Sequence, residues 1–352
     1  LATALSPTID DGSQYFNTKL YSGNSTTNPI TGVGFAPDFT WLKARNYANA
    51  HFLLDTTRGS GQVLFSSSST TETDFQGTRW QSFDSDGFTL TGSDSSTNIS
   101  GGNYVTWNWK ANGGTTSSNT DGSITSTVQA NTTAGFSIVT YTGNATAGAT
   151  IGHGLGVTPS MFIIKGRTLS GSWVTYHKDL GATKALALQG TNTPVTSSAY
   201  FNNTEPTSSV ITLGYDGPGN EVNNGGDTYV AYCFAEIEGY SKFGSYTGNG
   251  SSDGTFIYTG FRPAFVICKR TNGIGSWVVQ DNKRPAYNQG GNYVYANASN
   301  VEATDLPIDI LSNGFKQRQG AYSDNNGSGD TYIYMAFAEN PFVTSGATPV
   351  TA

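Results

Sequence analysis

TYVAYCFAE, residues 228–236, is almost continuous in apolar side chains and follows the glycine-rich NNGGD of residues 223–227. A run of that kind reads as a central β-strand covered on both faces and entered from a hairpin loop. It returns as TYIYMAFAE at 331–339 and, in altered form, as NYVTWNWK at 103–110. Upstream of each copy stands a proline-led apolar run: FAPDFTWLKAR around Pro37, VTPSMFIIKGR around Pro159 and FRPAFVICKRT around Pro263. Proline at the start of a strand is tolerated because its missing N–H is not needed there. Further upstream lies Tyr-Ser-Gly-Asn at Tyr21, then Tyr-Thr-Gly-Asn at Tyr141 and Tyr246. The opening Tyr precedes its Pro by 16, 18 and 17 residues, and the Pro precedes its closing Tyr by 67, 70 and 69. Spacing this even predicts one folding unit in three copies, since a shared core fixes strand separations while loops absorb the differences.

Composition agrees. Only 12% of the 352 residues are charged, Gly reaches 44 residues, and aromatics make up 12%. Turn formers and strand formers therefore outweigh helix formers. The second copy shows seven strand candidates, beginning at Phe136, Ala149, Ser160, Ser172, Lys184, Ser208 and Thr228. The expected fold class is all-β: three tandem domains of about 100 residues, each an antiparallel β-sandwich or jelly-roll-like unit with its own core. The expected boundaries are an N-terminal segment 1–14, repeats at 15–112, 135–240 and 241–342, a Ser/Thr/Asn/Gly-rich linker 113–134 and a tail 343–352. The linker reads either as flexible chain or as an extended surface strand. The joint at Glu236–Tyr240 is short enough to hold the last two repeats as a stiff rod.

A net charge of -7 with 18 Lys plus Arg leaves no basic stripe for nucleic acid and disfavours an anionic membrane surface. No run of 18 apolar residues is present, and residues 1–10 carry neither the charged nor the apolar region of a signal peptide, so no membrane insertion is expected. The chain opens on Leu1, which suggests a processed or truncated N-terminus. Cys233 and Cys268 fall in apolar strands of different repeats and read as buried free thiols.

Candidate chemistry is sparse. His51, His153 and His177 show no metal-ligand spacing, and HExxH, CxxC and GxSxG are absent. No catalytic residue, metal ligand or cofactor is assigned. Three lysines recur six residues after the proline, Lys43, Lys165 and Lys269, and two glutamates match on the closing strand, Glu236 and Glu339. They read as an ion pair at the sheet end. The loops at Asp84–Gly87 and Asp324–Asp330 offer oxygen ligands, but turn chemistry accounts for both. Trp173 and Trp277 hold matching positions, and with Trp41, Trp107 and Trp109 they read as core; Trp80, Tyr47 and Tyr322 are the better candidates for exposed sugar-stacking platforms.

The stretches WNWKAN, SNTDGSITSTVQANTTAGFSIVTYTGN, GHGLGVTPSMFIIK, YVAYCFAEIEGYSKFGSYTGNG, FIYTGFRPAFVICKRT, LSNGFK and TYIYMAFAENPF resemble tandem β-domain proteins of marine bacteriophages, described as virion structural or tail-fibre-like proteins. The resemblance covers nearly the whole chain and is weakest in the first repeat. It implies a non-enzymatic particle component of lectin-like sandwich fold on the virion surface, in a tail fibre or other appendage used in host attachment. Partners would be other virion proteins and a host surface glycan or protein. Fibres are commonly trimers, so three chains on one axis are expected, although no heptad or collagen repeat supports it. A capsid fibre or decoration protein, and in a different class a polysaccharide depolymerase working through paired carboxylates, are the alternatives.

Overall fold

The computed structural model describes residues 8–285, 288 and 290–341; the tail 343–352 lies outside them. The fold is all-β with antiparallel pairing throughout its named strands, and the only α-helix among the described residues is the single turn Ser198–Phe201. No helix among the described residues is long and apolar enough to cross a membrane.

Each repeat builds a large sheet with the same order: opening, closing, proline and middle strand. In the first these are Phe16–Ser22, Asn103–Trp109, Phe39–Ala44 and Phe52–Asp55. In the second they are Phe136–Thr142, Thr228–Phe234, Met161–Gly166 and Val174–His177, and in the third Ser241–Thr247, Thr331–Pro341, Phe261–Arg270 and Trp277–Asp281. The closing strand is central, as its apolar continuity requires. All seven strands expected in the second repeat form, and the 113–134 stretch supplies two more, Ser117–Asn119 and Ser126–Asn131, the latter paired with the opening strand. The extended reading of that stretch therefore holds. A smaller sheet covers each large one: Asn28–Thr31, Gly87–Leu90 and Trp80–Asp84; Thr150–Gly152 and Val210–Thr212; Phe256–Tyr258, Gly314–Gln317 and Ile308–Leu311.

The Tyr-x-Gly-Asn motif is a structural clasp. Tyr21, Tyr141 and Tyr246 pair in register with Tyr104, Tyr229 and Tyr332, and the rings stack at 4.9, 5.1 and 4.9 Å. The opening hydroxyls donate to carbonyls of the glycine-rich loop: Tyr21 to Thr97, Tyr141 to Val222 and Tyr246 to Asn325. The motif Asn meets a buried loop Asn, its backbone N–H donating to Asn98, Asn223 or Asn326. Glycine between them is forced by contact, because a Cβ on Gly143 would lie 2.2 Å from the Asn224 carbonyl oxygen.

The expectation of three separate cores, and of a rod, is corrected. The largest buried cluster draws on all three repeats, with Trp107 and Trp109, Tyr232 and Phe234, and Phe265 and Phe337 in one continuous body. Strand alternation explains the sharing: Val230, Tyr232 and Phe234 face this common core, while Tyr229, Ala231 and Cys233 face a cluster private to the second repeat. The first repeat divides likewise, Val105, Trp107 and Trp109 facing the common core and Tyr104 a cluster of its own, whereas both faces of the third repeat's closing strand join the common cluster. The chain ends meet as well: Gly12 packs so closely on the closing strand of the third repeat that a Cβ there would lie 2.5 Å from the Ala338 oxygen. The three sheets close a triangle.

Candidate functional site

Three equivalent seams hold the triangle together, and the residues singled out in the sequence converge on them. Each repeated lysine reaches out of its proline strand into a ring of backbone carbonyls, one of which belongs to the next repeat. Lys43 Nζ donates to Ala44 at 2.6 Å, Tyr47 at 3.2 Å and Ser299 at 3.3 Å. Lys165 donates to Gly166, Leu169 and, across the seam, Ser69 at 3.2 Å. Lys269 donates to Arg270 and, across the seam, Thr191 at 3.1 Å. The first repeat grips the third, the second the first, and the third the second. Burial pushes each lysine down to about 8, against the opposing field of a nearby carboxylate, Glu302 for Lys43, Glu221 for Lys165 and Asp324 for Lys269.

The middle strand repeats the pattern. Trp173 donates its indole N–H to the Phe65 carbonyl of the first repeat at 2.9 Å, and Trp277 donates to Ala187 of the second at 3.1 Å. In the first repeat His51 stands in that place: its Nδ1 accepts from Trp41 at 2.8 Å, which leaves Nε2–H to donate to Tyr295 of the third repeat at 2.9 Å.

Two seams carry a buried ion cluster. Asp55 accepts from Arg58 Nε and from the Tyr232 hydroxyl of the second repeat, and Glu72 bridges Arg58 and Arg167. Likewise Asp281 accepts from Arg284 Nε and from the Trp107 indole, and Glu302 bridges Arg284 and Arg45. Both glutamates donate their own N–H across the seam, Glu72 to Arg167 and Glu302 to Arg45. At the third seam all four positions differ. Strand register puts His177 where the aspartates stand, Leu180 replaces the buried arginine, Pro194 the glutamate and Thr271 the second arginine. Beside Leu180 and Thr271 lies an open depression of about 320 Å³, lined also by Asp179, Ser245, Thr247 and Thr331.

The family model described as Domain of unknown function (DUF7483) matches residues 11–341. The chain belongs to this family. Because the match runs from the first opening strand to the last closing strand, the DUF7483 unit is the closed triangle and not a single repeat. No curated protein and no solved structure matches the chain.

Several sequence expectations are corrected. The lysines do not pair with the glutamates, because the two sets sit at opposite ends of the sheets. Glu236 binds Lys178 and Lys242, and Glu339 binds Arg262 at 2.8 Å and Lys283 at 3.3 Å. Trp80 is buried in the private cluster of the first repeat at 2% exposure, stacked on Phe88 at 4.8 Å, so it offers no platform. Tyr47 and Tyr322 are half-buried, and Tyr322 shares a hydrogen bond with Tyr295. In the Asp-rich loops, Asp84 accepts from Ser82 and Thr89, while Asp330 pairs with Arg270. Among the described residues no three His, Cys, Asp or Glu side chains come together as a metal site. Both cysteines are buried free thiols, pushed up to about 12 by burial. The buried ion clusters were missed, although DTTR at 55–58 and DNKR at 281–284 repeat the spacing that HKDL at 177–180 breaks.

All three histidines are neutral by the same geometry. His153 and His177 accept at Nδ1 from the backbone N–H two residues on, at 3.2 Å, and donate Nε2–H to Thr207 and Tyr334. Burial lowers His177 to about 4 from 6.5, and lowers His51 and His153 as well. A base whose folded pKa is depressed binds protons first in the unfolded chain, so stability is lost as pH falls from 6.5 towards 4. His177 alone should cost about 3 kcal/mol by pH 4. Thermal unfolding followed by circular dichroism should show the midpoint falling across that window; a midpoint flat from pH 7 to 4 would contradict neutral burial.

Proposed function

We propose that the protein is a non-enzymatic structural component of a virus particle's exterior, in a tail fibre or appendage that contacts the host. In this reading each repeat is a sandwich-like unit, a large inner sheet backed by a small outer one, and three of them share a durable scaffold. The observation that carries it is where the buried polar side chains go: the three repeated lysines, Arg58 and Arg284, the indole N–H groups of Trp107, Trp173 and Trp277, and His51 and His177 are used in closing the triangle. Such a module resists solvent without disulfides or metals and leaves its loops for contact. The threefold arrangement expected of a fibre exists within one chain, so the appendage needs no three-chain axis at this level. Glu339 argues against a depolymerase: it shares a depression of about 310 Å³ with Asp11, but Arg262 and Lys283 neutralise it.

Antibody raised against the chain and imaged by immunogold electron microscopy on intact particles tests the reading. Label at tail tips or fibres supports it. Label on the capsid face shifts it to a decoration protein, and label absent from particles overturns it.

A further inference from the structure

We infer that the third seam, between the second and third repeats, is a binding groove for a neutral polyhydroxylated ligand such as the sugar ring of a host glycan. The inference deepens the attachment role proposed above.

The argument rests on comparing three equivalent places in one molecule. At two seams a glutamate and two arginines form an ion cluster between repeats, and the depression of about 440 Å³ beside one of them is lined by its Arg45 and Glu302 with Asn46, Asn103 and Val301. At the third, Leu180, Pro194 and Thr271 replace all of them, and Pro194 also removes the N–H that the glutamates donate across the seam. The open depression here, about 320 Å³, is therefore lined by hydroxyls and Leu180 where its counterpart at the first–third seam is lined by an arginine and a glutamate. Its lining is chemically specific. Ser245, Thr247 and Thr331 are exposed, and Thr271, half-buried, shares a 2.7 Å hydrogen bond with Thr331. The Ser245 and Thr247 hydroxyls can each donate and accept, and the Thr271–Thr331 pair keeps free acceptor lone pairs, which matches the dual character of a sugar hydroxyl. Leu180 offers an apolar patch for the C–H face of a ring, and the exposed Asp179 carboxylate can accept from two neighbouring sugar hydroxyls. No Lys, Arg or His lines the depression, so a phosphate or an acidic sugar finds no countercharge. The rigid sheets on both sides leave little ordering cost to binding.

Saturation-transfer NMR titrations of the full chain with galactose, mannose and N-acetylglucosamine, with sialic acid as the anionic control, test this. At least one neutral sugar should bind with a dissociation constant on the order of 1 mM, and sialic acid more weakly. The quadruple variant His177→Asp, Leu180→Arg, Pro194→Glu, Thr271→Arg should rebuild the ion cluster of the other seams, fold, and lose binding by at least about tenfold. Should that variant fail to fold, the substitutions Asp179→Asn and Thr247→Ala, both at exposed positions, should each weaken binding about threefold or more. No saturable binding of any neutral sugar, preference for sialic acid, or unchanged affinity in the folded variants would overturn the groove. None of these results bears on particle location, so the two readings fail separately.

Discussion

Replacing Asp55 by alanine should destabilise the fold by about 3–5 kcal/mol, because it strands a buried guanidinium. Asp55 and Arg58 have fully buried side chains, and the carboxylate accepts from the Arg58 backbone N–H at 2.8 Å, from Arg58 Nε, and from the Tyr232 hydroxyl of the second repeat at 2.7 Å. Burial opposes the charge on Arg58, but the field of Asp55, reinforced by Glu72, outweighs it and raises its affinity for the proton. Without Asp55 only Glu72 and the Leu53 carbonyl remain as partners. The third seam supplies the control, since Leu180 occupies the place of Arg58 without any ion cluster. Asp55→Ala combined with Arg58→Leu should therefore recover much of the loss, as replacing a whole buried pair costs far less than breaking it. Urea denaturation of the two variants decides it: a single-variant loss under about 1 kcal/mol, or a double variant no better than the single, would show that the cluster does not hold the seam.

The threefold repetition, the all-β class and the central place of the closing strand were legible because they depend on local signals. Apolar continuity around Tyr229 and Tyr332 marks central strands; the prolines do not take the first strand position expected of them, since Pro37 and Pro159 stand two residues before their strands and Pro263 sits at a register shift inside Phe261–Arg270. The closure was not legible from those signals. A face of Trp107, Trp109, Phe234 and Phe337 reads the same whether it buries against its own repeat or a neighbour's, since burial is non-directional. The lysines show the same limit. Their even spacing announced a role, but their partners are main-chain carbonyls of Ser69, Thr191 and Ser299, which carry no side-chain signature. Register places His51 with Trp173 and Trp277, an equivalence that the unlike side chains conceal. The groove was hidden for another reason: it becomes visible only once the three seams are superposed and one is seen to lack its charges.

Trp109→Ala should destabilise all three repeats together by about 3–5 kcal/mol, since the ring stands where the sheets meet. Its neighbours come from every repeat: Phe16 at 4.8 Å and Phe39 at 5.2 Å from the first, Phe234 at 6.3 Å from the second, and Phe265 at 5.7 Å and Phe337 at 5.6 Å from the third. If each repeat had its own core, calorimetry would show separate transitions and the substitution would move only the first. A shared core predicts one transition in the parent protein, with slow-exchanging amides of Tyr232 and Met335 losing protection in step with Trp107. Trp109→Phe separates packing from hydrogen bonding. The indole N–H is buried with no partner among the described residues, and register places Phe234 and Phe337 at the matching positions. Phenylalanine keeps most of the buried surface and removes an unsatisfied donor, so its cost should stay within about 1.5 kcal/mol. A phenylalanine variant as damaged as the alanine one would mean that the indole nitrogen, and not the shared aromatic packing, holds the triangle at this point.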